Sequence, residues 1–202
     1  MKTFSEFELD ALREFSNVGA AHAATALSKL IDKKMLVKIP TVKMMPVKDV
    51  PNYLGGAEVP VIGLYFRIGG DLGGSILLCF PVTTAAVLVD LLTAGMGTKN
   101  IAEYGEVEQS ALMEVGNILT NSYLNALAEM MEMRLLLSVP YYSSDFLGAV
   151  VDFLLIELSQ SADYALIMDT VIDSADTKFV GNLLVFPDDK SLQKILEKAG
   201  LM

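Results

Sequence analysis

The sequence predicts an α+β fold built from two related copies of one unit. The chain matches itself when it is shifted by 100 positions, and self-similarity at a fixed spacing is typical of repeated structural units. In each copy a long amphipathic helix comes first, strands follow as a group, and a short helix ends the unit, which favours an α+β fold. We therefore expect one domain over residues 1–202, made of two repeats at about 5–100 and 104–202 and related by a pseudo-twofold axis.

The repeat is clearest at the first helix of each unit. Residues 10–40 align without gaps to residues 110–140, and eight of the 31 positions are identical, whereas unrelated stretches match at roughly one position in ten. The ends of the units also agree, because GSILLCFP (74–81) resembles GNLLVFP (181–187). The junction AGMGTKNIAEYGEVEQ contains no low-complexity linker, so we expect the units to be fused in one domain.

Hydrophobic periodicity predicts the remaining elements. In the first unit the candidates are strands at 35–45, 59–68 and 75–80 and a short helix at 83–94. In the second unit they are strands at 135–142, 149–158, 165–171 and 180–186 and a short helix at 191–199. The segment VVDFLLIEL combines alternation with a continuous apolar run, which favours a strand covered on both faces. The glycine-rich stretch 69–74 lies between two strand candidates and predicts a hairpin loop.

Composition argues against several function classes. The formal net charge of −10 argues against nucleic acid and anionic lipid as partners and favours a basic protein surface. Residues 72–89 carry no charge, but Pro81 interrupts them, so we expect a buried strand and a helix there instead of a membrane span. The acidic N-terminal residues do not resemble a signal peptide, and the single cysteine, Cys79, suits a reducing compartment. We expect a cytoplasmic protein.

Both long helices present a polar pair on the side opposite their core stripe. At about 100° per residue, Glu14 and Asn17 share the outer face of the first helix, and Glu114 and Asn117 repeat them in the second. The expected core stripes are Leu12, Phe15, Gly19, Ala23, Ala26, Leu27 and Leu30, and Leu112, Val115, Leu119, Tyr123, Ala126 and Met130. The outer faces add Ala21, Ala24, Thr25 and Ser28, and Asn121, Leu124, Asn125 and Ala128, with Val18 and Ile118 at the edge.

Two readings of these pairs are open. On a single helix, an exposed glutamate and asparagine are explained by solvation alone. Recurrence at the same register in both copies favours function, because an outward asparagine is a poor choice for helix stability. Incomplete divergence after duplication is the competing explanation. Gly19 falls on the core side, where we expect close packing.

The pairs belong to two copies of the pattern Asp/Ser-x3-Glu-x2-Asn-x22-Pro, from Asp10 to Pro40 and from Ser110 to Pro140. The patterns resemble the double signature of the CheC/CheX/FliY phosphatases of bacterial and archaeal chemotaxis, and the two copies and the length are most like the CheC type. The resemblance covers essentially the whole chain. It implies a central, mostly antiparallel sheet, two long helices that carry the pairs, and two shorter helices.

The resemblance also implies hydrolysis of the aspartyl phosphate on the response regulator CheY. Asn17 and Asn117 would orient the attacking water, while Glu14 and Glu114 would pair with a lysine of the regulator. Mg²⁺ is expected on the regulator, and no cofactor or metal is expected on this chain. The residues expected to contact the regulator are Val18, Ala21, Ala24, Thr25, Ile118, Asn121 and Asn125.

The resemblance implies CheD as a second partner, which could contact either short helix, and a monomer is expected in place of an obligate oligomer. Ser16 in the first copy is aligned with Gly116 in the second, and His22 occupies a position where a small or amide residue is common in the family. We therefore expect the two sites to be unequal in activity. His22 is interpreted as partly packed, and Pro40 and Pro140 as shaping the following strand. The alternative function is a module that binds a receiver domain or the flagellar switch without turnover, but such modules lack the Glu/Asn pairs.

Overall fold

The structure is a computed structural model that describes residues 5–98, 100–157, 163–174 and 177–198. The helices are α1 (Glu6–Ile31), α2 (Val50–Tyr53), α3 (Val82–Leu92), α4 (Glu106–Met131), α5 (Leu147–Glu157) and α6 (Asp189–Lys198). The strands are β1 (Leu36–Pro46), β2 (Pro60–Gly70), β3 (Gly74–Pro81), β4 (Leu135–Leu137), β5 (Tyr141–Phe146), β6 (Tyr164–Asp173) and β7 (Lys178–Pro187). Short 3₁₀ turns lie at Val47–Asp49 and Ile101–Glu103.

The seven strands found in the described residues belong to one antiparallel sheet, in the order β1-β6-β7-β3-β2-β4, with β5 also paired to β2. From one edge of the sheet, β1 of the first unit is followed by β6 and β7 of the second unit. From the other edge, β4 and β5 of the second unit are followed by β2 and β3 of the first. The pseudo-twofold axis therefore passes between β7 and β3, where the two units meet. The predicted α+β fold with internal duplication is confirmed.

Helices cover both faces of the sheet. Side chains of α1, α3, α4 and α6 form the larger core, and α2 and α5 form a smaller core on the opposite face. Along β3, Ile76 and Leu78 enter the larger core while Leu77 and Cys79 enter the smaller one, because successive strand residues point to opposite faces. This double coverage explains the uncharged run of β3, and burial raises the pKa of the Cys79 thiol to about 12.

The two long helices pack directly against each other at Gly19. A Cβ atom at that position would lie 2.8 Å from the backbone oxygen of Ser122 and 2.8 Å from the Cα of Tyr123. Only glycine allows the backbones of α1 and α4 to approach so closely, which confirms the expected close packing.

Residues 149–158 were expected to form a strand, and this prediction is wrong. Residues 149–157 lie in α5, and residue 158 lies outside the described part of the chain. Leu147, Val150, Val151 and Leu154 are buried at the i, i+3, i+4, i+7 spacing of a helix. The exposed face also carries apolar residues, with Phe153 at 46% and Ile156 at 74% exposure, and these conceal the helical period. Besides the two short helices that were predicted, α3 and α6, the fold therefore has a third helix of similar length, α5.

Three other expectations need correction. The single strand at 135–142 is divided into β4 and β5. Leu124, expected on the outer face, is 4% exposed and belongs to the larger core, because α4 packs against both α1 and the sheet and so buries a wider arc than one stripe. Leu30, expected in the core, is 42% exposed, since the neighbouring Ile31 takes the buried position at the end of α1.

The other predicted elements lie close to their expected bounds, although residue 199 of the last helix is outside the described residues. The hairpin loop predicted at 69–74 is shorter than expected, because β2 extends to Gly70 and β3 begins at Gly74, which leaves residues 71–73 between them. Of the helices that the structure describes, none has the length and apolar character needed to cross a bilayer.

Candidate functional site

The proline at the end of each signature lies at an irregularity in the strand after the long helix. In β1, Lys38 pairs with Val171 and Thr41 with Asp169, so Ile39 and Pro40 together oppose one residue of β6. Between β4 and β5, residues 138–140 oppose the two residues between Tyr65 and Ile68 of β2. One extra residue in a strand is a bulge, which suits a proline without an N–H group.

In the first copy, the bulge is joined to the helix by Asn17. Its Oδ1 accepts a hydrogen bond from the Ile39 N–H at 3.0 Å, and its Nδ2 donates to the Ile39 carbonyl at 3.3 Å and to the Arg13 carbonyl at 3.0 Å. Asn17 is half-buried and turned toward β1, whereas the sequence predicted an outward side chain. Glu14 is exposed as expected, and its carboxylate lies 3.7 Å from the Arg13 guanidinium, which also contacts Asp10 at 3.2 Å. We call Glu14, Asn17 and Ile39 the first site.

In the second copy, the equivalent pair lines an open cleft of about 490 Å³. The cleft lies between the outer face of α4 and the strand bulge. Its lining residues are Ala26, Glu114, Asn117, Ile118, Asn121, Ser122, Asn125, Leu137, Ser138 and Val139. Within the described residues, the Glu114 carboxylate and the Asn117 carboxamide make no hydrogen bond or ion pair; the Asn117 backbone carbonyl accepts from Asn121 Nδ2 at 2.9 Å. We call the cleft and this pair the second site.

The residues expected to contact a partner differ in exposure. Val18 is 49% exposed, and Ala21, Thr25, Asn121 and Asn125 are also exposed, while Ala24 and Ile118 are half-buried. Of these seven, the structure brings Ile118, Asn121 and Asn125 together in the second site. His22, expected to be partly packed, is exposed.

The strand side of the second site was not predicted from the sequence. Leu137, Ser138 and Val139 line it, but the segment was assigned to one continuous strand, whose side chains would all belong to the sheet. Pro140 was the available signal, because proline in a strand marks a bulge or an edge.

No group of three or more His, Cys, Asp or Glu side chains is arranged to hold a metal ion anywhere in the described residues. Each site pairs the carboxylate of a glutamate with the carboxamide of an asparagine one helical turn away. A carboxamide donates and accepts hydrogen bonds at once, so the pair can orient a water or a partner's polar group.

Comparisons with known proteins match the segments of the chain that form the two sites. The sequence model of the CheC-like family matches residues 7–44 and 107–142, which are the segments that hold the two helix–bulge pairs. Over 199 residues, the chain is 36% identical to the CheY-P phosphatase CheC of Bacillus subtilis, covering 96% of this chain and 95% of that protein. The chain belongs to the CheC-like family.

Solved structures resemble this CheC-like chain in fold at lower identity. Thermotoga maritima FliY superposes with a TM-score of 0.79 at 19% identity and covers 98% of both chains. A CheX–CheY–BeF3–Mg²⁺ complex from Borrelia burgdorferi matches with a TM-score of 0.51 at 16% identity, over 85% of this chain and 96% of that one. The chain thus shares its fold with these two structures.

Proposed function

We propose that this chain is a phosphatase that hydrolyses the aspartyl phosphate of a CheY-like response regulator. The observation that carries the proposal is the second site, where the side chains of Glu114 and Asn117 stand on the wall of an open cleft and have no hydrogen-bond or ion-pair partner among the described residues. The 36% identity to a CheY-P phosphatase over nearly the full length supports the same activity.

The proposed chemistry needs little from the enzyme beyond positioning. An aspartyl phosphate is a reactive acyl phosphate, so a water held in line with the phosphorus attacks it directly. The P–O bond to the aspartate breaks, the aspartate leaves as a carboxylate, and the water becomes part of inorganic phosphate. Mg²⁺ on the regulator would hold the charge of the phosphoryl oxygens.

The side chains of the second site have distinct proposed roles. Asn117 would accept a hydrogen bond from the attacking water and donate one to the phosphoryl group, which orients the water without removing a proton. Glu114 lies one helical turn away on the same face and would pair with a lysine of the regulator. Ile118 and Asn121 would contact the loops around the phosphorylation site. Glu14 and Asn17 are the corresponding pair of the first site.

Docking by this surface is consistent with the charge of the chain. The net charge of −10 favours a partner with a basic surface and speeds encounter at low ionic strength. Raising the salt concentration should therefore reduce the association rate more than the rate of the chemical step.

The test is phosphate release from CheY that has been phosphorylated with acetyl phosphate in the presence of Mg²⁺. The wild-type chain should shorten the lifetime of the phosphorylated regulator. The variant with both Asn17→Ala and Asn117→Ala should bind the regulator without shortening that lifetime, and His22→Ala should behave as wild type, since His22 is exposed and has no assigned role. If the wild-type chain binds the regulator with no effect on the lifetime, the non-catalytic binding module is the correct function.

The other partner expectations stand as proposals. CheD would dock on α3 or α6, whose buried residues, such as Leu88 and Ile195, already pack in the larger core, so the contact must use their outer faces. Capture of CheD by the tagged wild-type chain, and its loss on charge reversal in one of these two faces, would locate the contact. Cytoplasmic localisation and a monomeric state are proposed with it, and analytical ultracentrifugation tests the latter.

A further inference from the structure

We propose that the second site carries most of the turnover and that the first site is held closed by its own strand bulge. The inference rests on the proposed phosphatase function and assigns unequal roles to two sites that the signature makes alike. It follows from a difference in hydrogen bonding, because the bulge of the first copy is bonded to α1 and the bulge of the second copy is bonded to β2.

The first site is closed because Asn17 satisfies the bulge. Ile39 and Pro40 are out of register with β6, and a buried backbone group that lacks a partner is costly. Asn17 supplies both an acceptor to the Ile39 N–H and a donor to the Ile39 carbonyl. Its second Nδ2 hydrogen is directed to the Arg13 carbonyl. A carboxamide has two N–H donors, so Asn17 has none left to offer to a phosphoryl group.

The second site is open because a different residue fastens its bulge. Ser138 donates its backbone N–H to the Arg67 carbonyl at 3.0 Å, and its hydroxyl oxygen accepts from the Arg67 N–H at 2.9 Å. The bulge is thereby joined to β2 instead of to α4, and Val139, the counterpart of Ile39, is 86% exposed. The corresponding residue in the first copy is Lys38, which has no hydroxyl group.

Glu14 is also less available to a partner than Glu114. Glu14 lies beside Arg13, a competing cation for any lysine of a partner. In the second copy Met113 stands in the place of Arg13, and Glu114 is free of ion pairs within the described residues. Both members of the second pair are therefore available without rearrangement.

The size of the difference follows from the bonds that must break. Each net hydrogen bond is worth about a factor of five in an equilibrium constant. Releasing Asn17 from the two bonds to Ile39 would thus leave roughly one first site in 25 open. We expect Asn117→Ala to lower kcat about 25-fold and Asn17→Ala to lower it less than twofold, measured with acetyl-phosphate-labelled CheY.

Thermal melting separates the structural from the catalytic role. Asn17→Ala removes the partner of Ile39 and should lower Tm, whereas Asn117→Ala should leave Tm as in wild type. Ser138 is a positioning residue in this scheme. In the Asn17→Ala background, Ser138→Ala should lower kcat because the bulge is then free to close on Asn117, and Ser138→Thr, which keeps the hydroxyl, should restore it.

Opposite or equal losses in the two single variants overturn the inference but leave the phosphatase function intact. If Asn17→Ala does not fold, Asn117→Ala decides alone, since more than half of the wild-type kcat in that variant contradicts the inference. Full activity in the double variant overturns the proposed roles themselves, and the unequal sites with them.

Discussion

Gly19 sets the spacing between the two helices that carry the candidate sites, and Gly19→Ala tests that contact. The added methyl group would meet backbone atoms of Ser122 and Tyr123 at 2.8 Å. Backbone atoms in the middle of a helix cannot rotate away, so α1 and α4 must separate. Gly116→Ala is the matched control, because Gly116 also lies inside a long helix but its methyl group would meet the end of the Leu64 side chain instead of backbone atoms.

The expected magnitude combines two opposing effects. In both variants, replacing glycine by alanine inside a helix favours the helix by about 1 kcal/mol. Overpacking a tight contact costs about 1–3 kcal/mol, and the rigid surroundings of Gly19 place it at the upper end. Gly19→Ala should therefore lose about 2 kcal/mol of unfolding free energy, while the shift of Leu64 roughly cancels the gain in Gly116→Ala.

Thermal unfolding followed by circular dichroism measures the difference. For a chain of this length, about 2 kcal/mol corresponds to a fall in Tm of roughly 4–8 °C, against little change for Gly116→Ala. A Tm for Gly19→Ala equal to or above that of Gly116→Ala would show that the helices do not depend on this close approach.

The remaining predictions concern a thiol, a helix cap and the docking surface. Cys79 is 2% exposed and burial raises its pKa to about 12, so a disulfide reagent at pH 8 should label it only after unfolding; rapid labelling of the native chain would contradict the fold. The Glu108 carboxylate, which accepts hydrogen bonds from backbone N–H groups of Glu108, Thr98 and Gly105, has a pKa below its usual 4.5. Its contribution to stability is present above pH 4.5 and lost as the pH falls through the lower folded value, so Glu108→Gln should lower Tm at neutral pH and not in acid; an equal loss at both would exclude the charge. Asn121→Lys, at an exposed position on the wall of the second site, should weaken regulator binding about fivefold or more with an unchanged Tm, and unchanged affinity would remove Asn121 from the contact surface.

Local sequence patterns were sufficient for most of the fold. The duplicated helix pattern and the apolar strands predicted α1, α4 and the central strands because each is long and strongly periodic. The helix α5 was missed because Phe153 and Ile156 are apolar yet exposed, and the period of a helix shows in a sequence only when its outer face is polar. Leu124 was misplaced for the converse reason, since a helix that packs on two neighbours buries more than one stripe.

The site was predicted as a set of residues but not as a geometry. Glu14, Asn17, Glu114 and Asn117 could be named because they recur at one register. Which asparagine is free depends on two bulges whose hydrogen bonds join residues far apart in the chain, such as Ile39 to Asn17 and Ser138 to Arg67. Such contacts depend on how segments distant in the chain pack against each other, which no local pattern of the sequence contains.

In the function proposed for this chain, a Glu/Asn pair promotes hydrolysis of the phosphate on a CheY-like regulator. The direct measurement is the decay of acetyl-phosphate-labelled CheY in Mg²⁺, alone and with the wild-type chain or the Asn17→Ala, Asn117→Ala double variant, with binding to the regulator measured in parallel. We predict that the wild-type chain accelerates decay and that the double variant binds without accelerating it. Equal acceleration by both proteins, or none by either despite binding, would contradict the assignment.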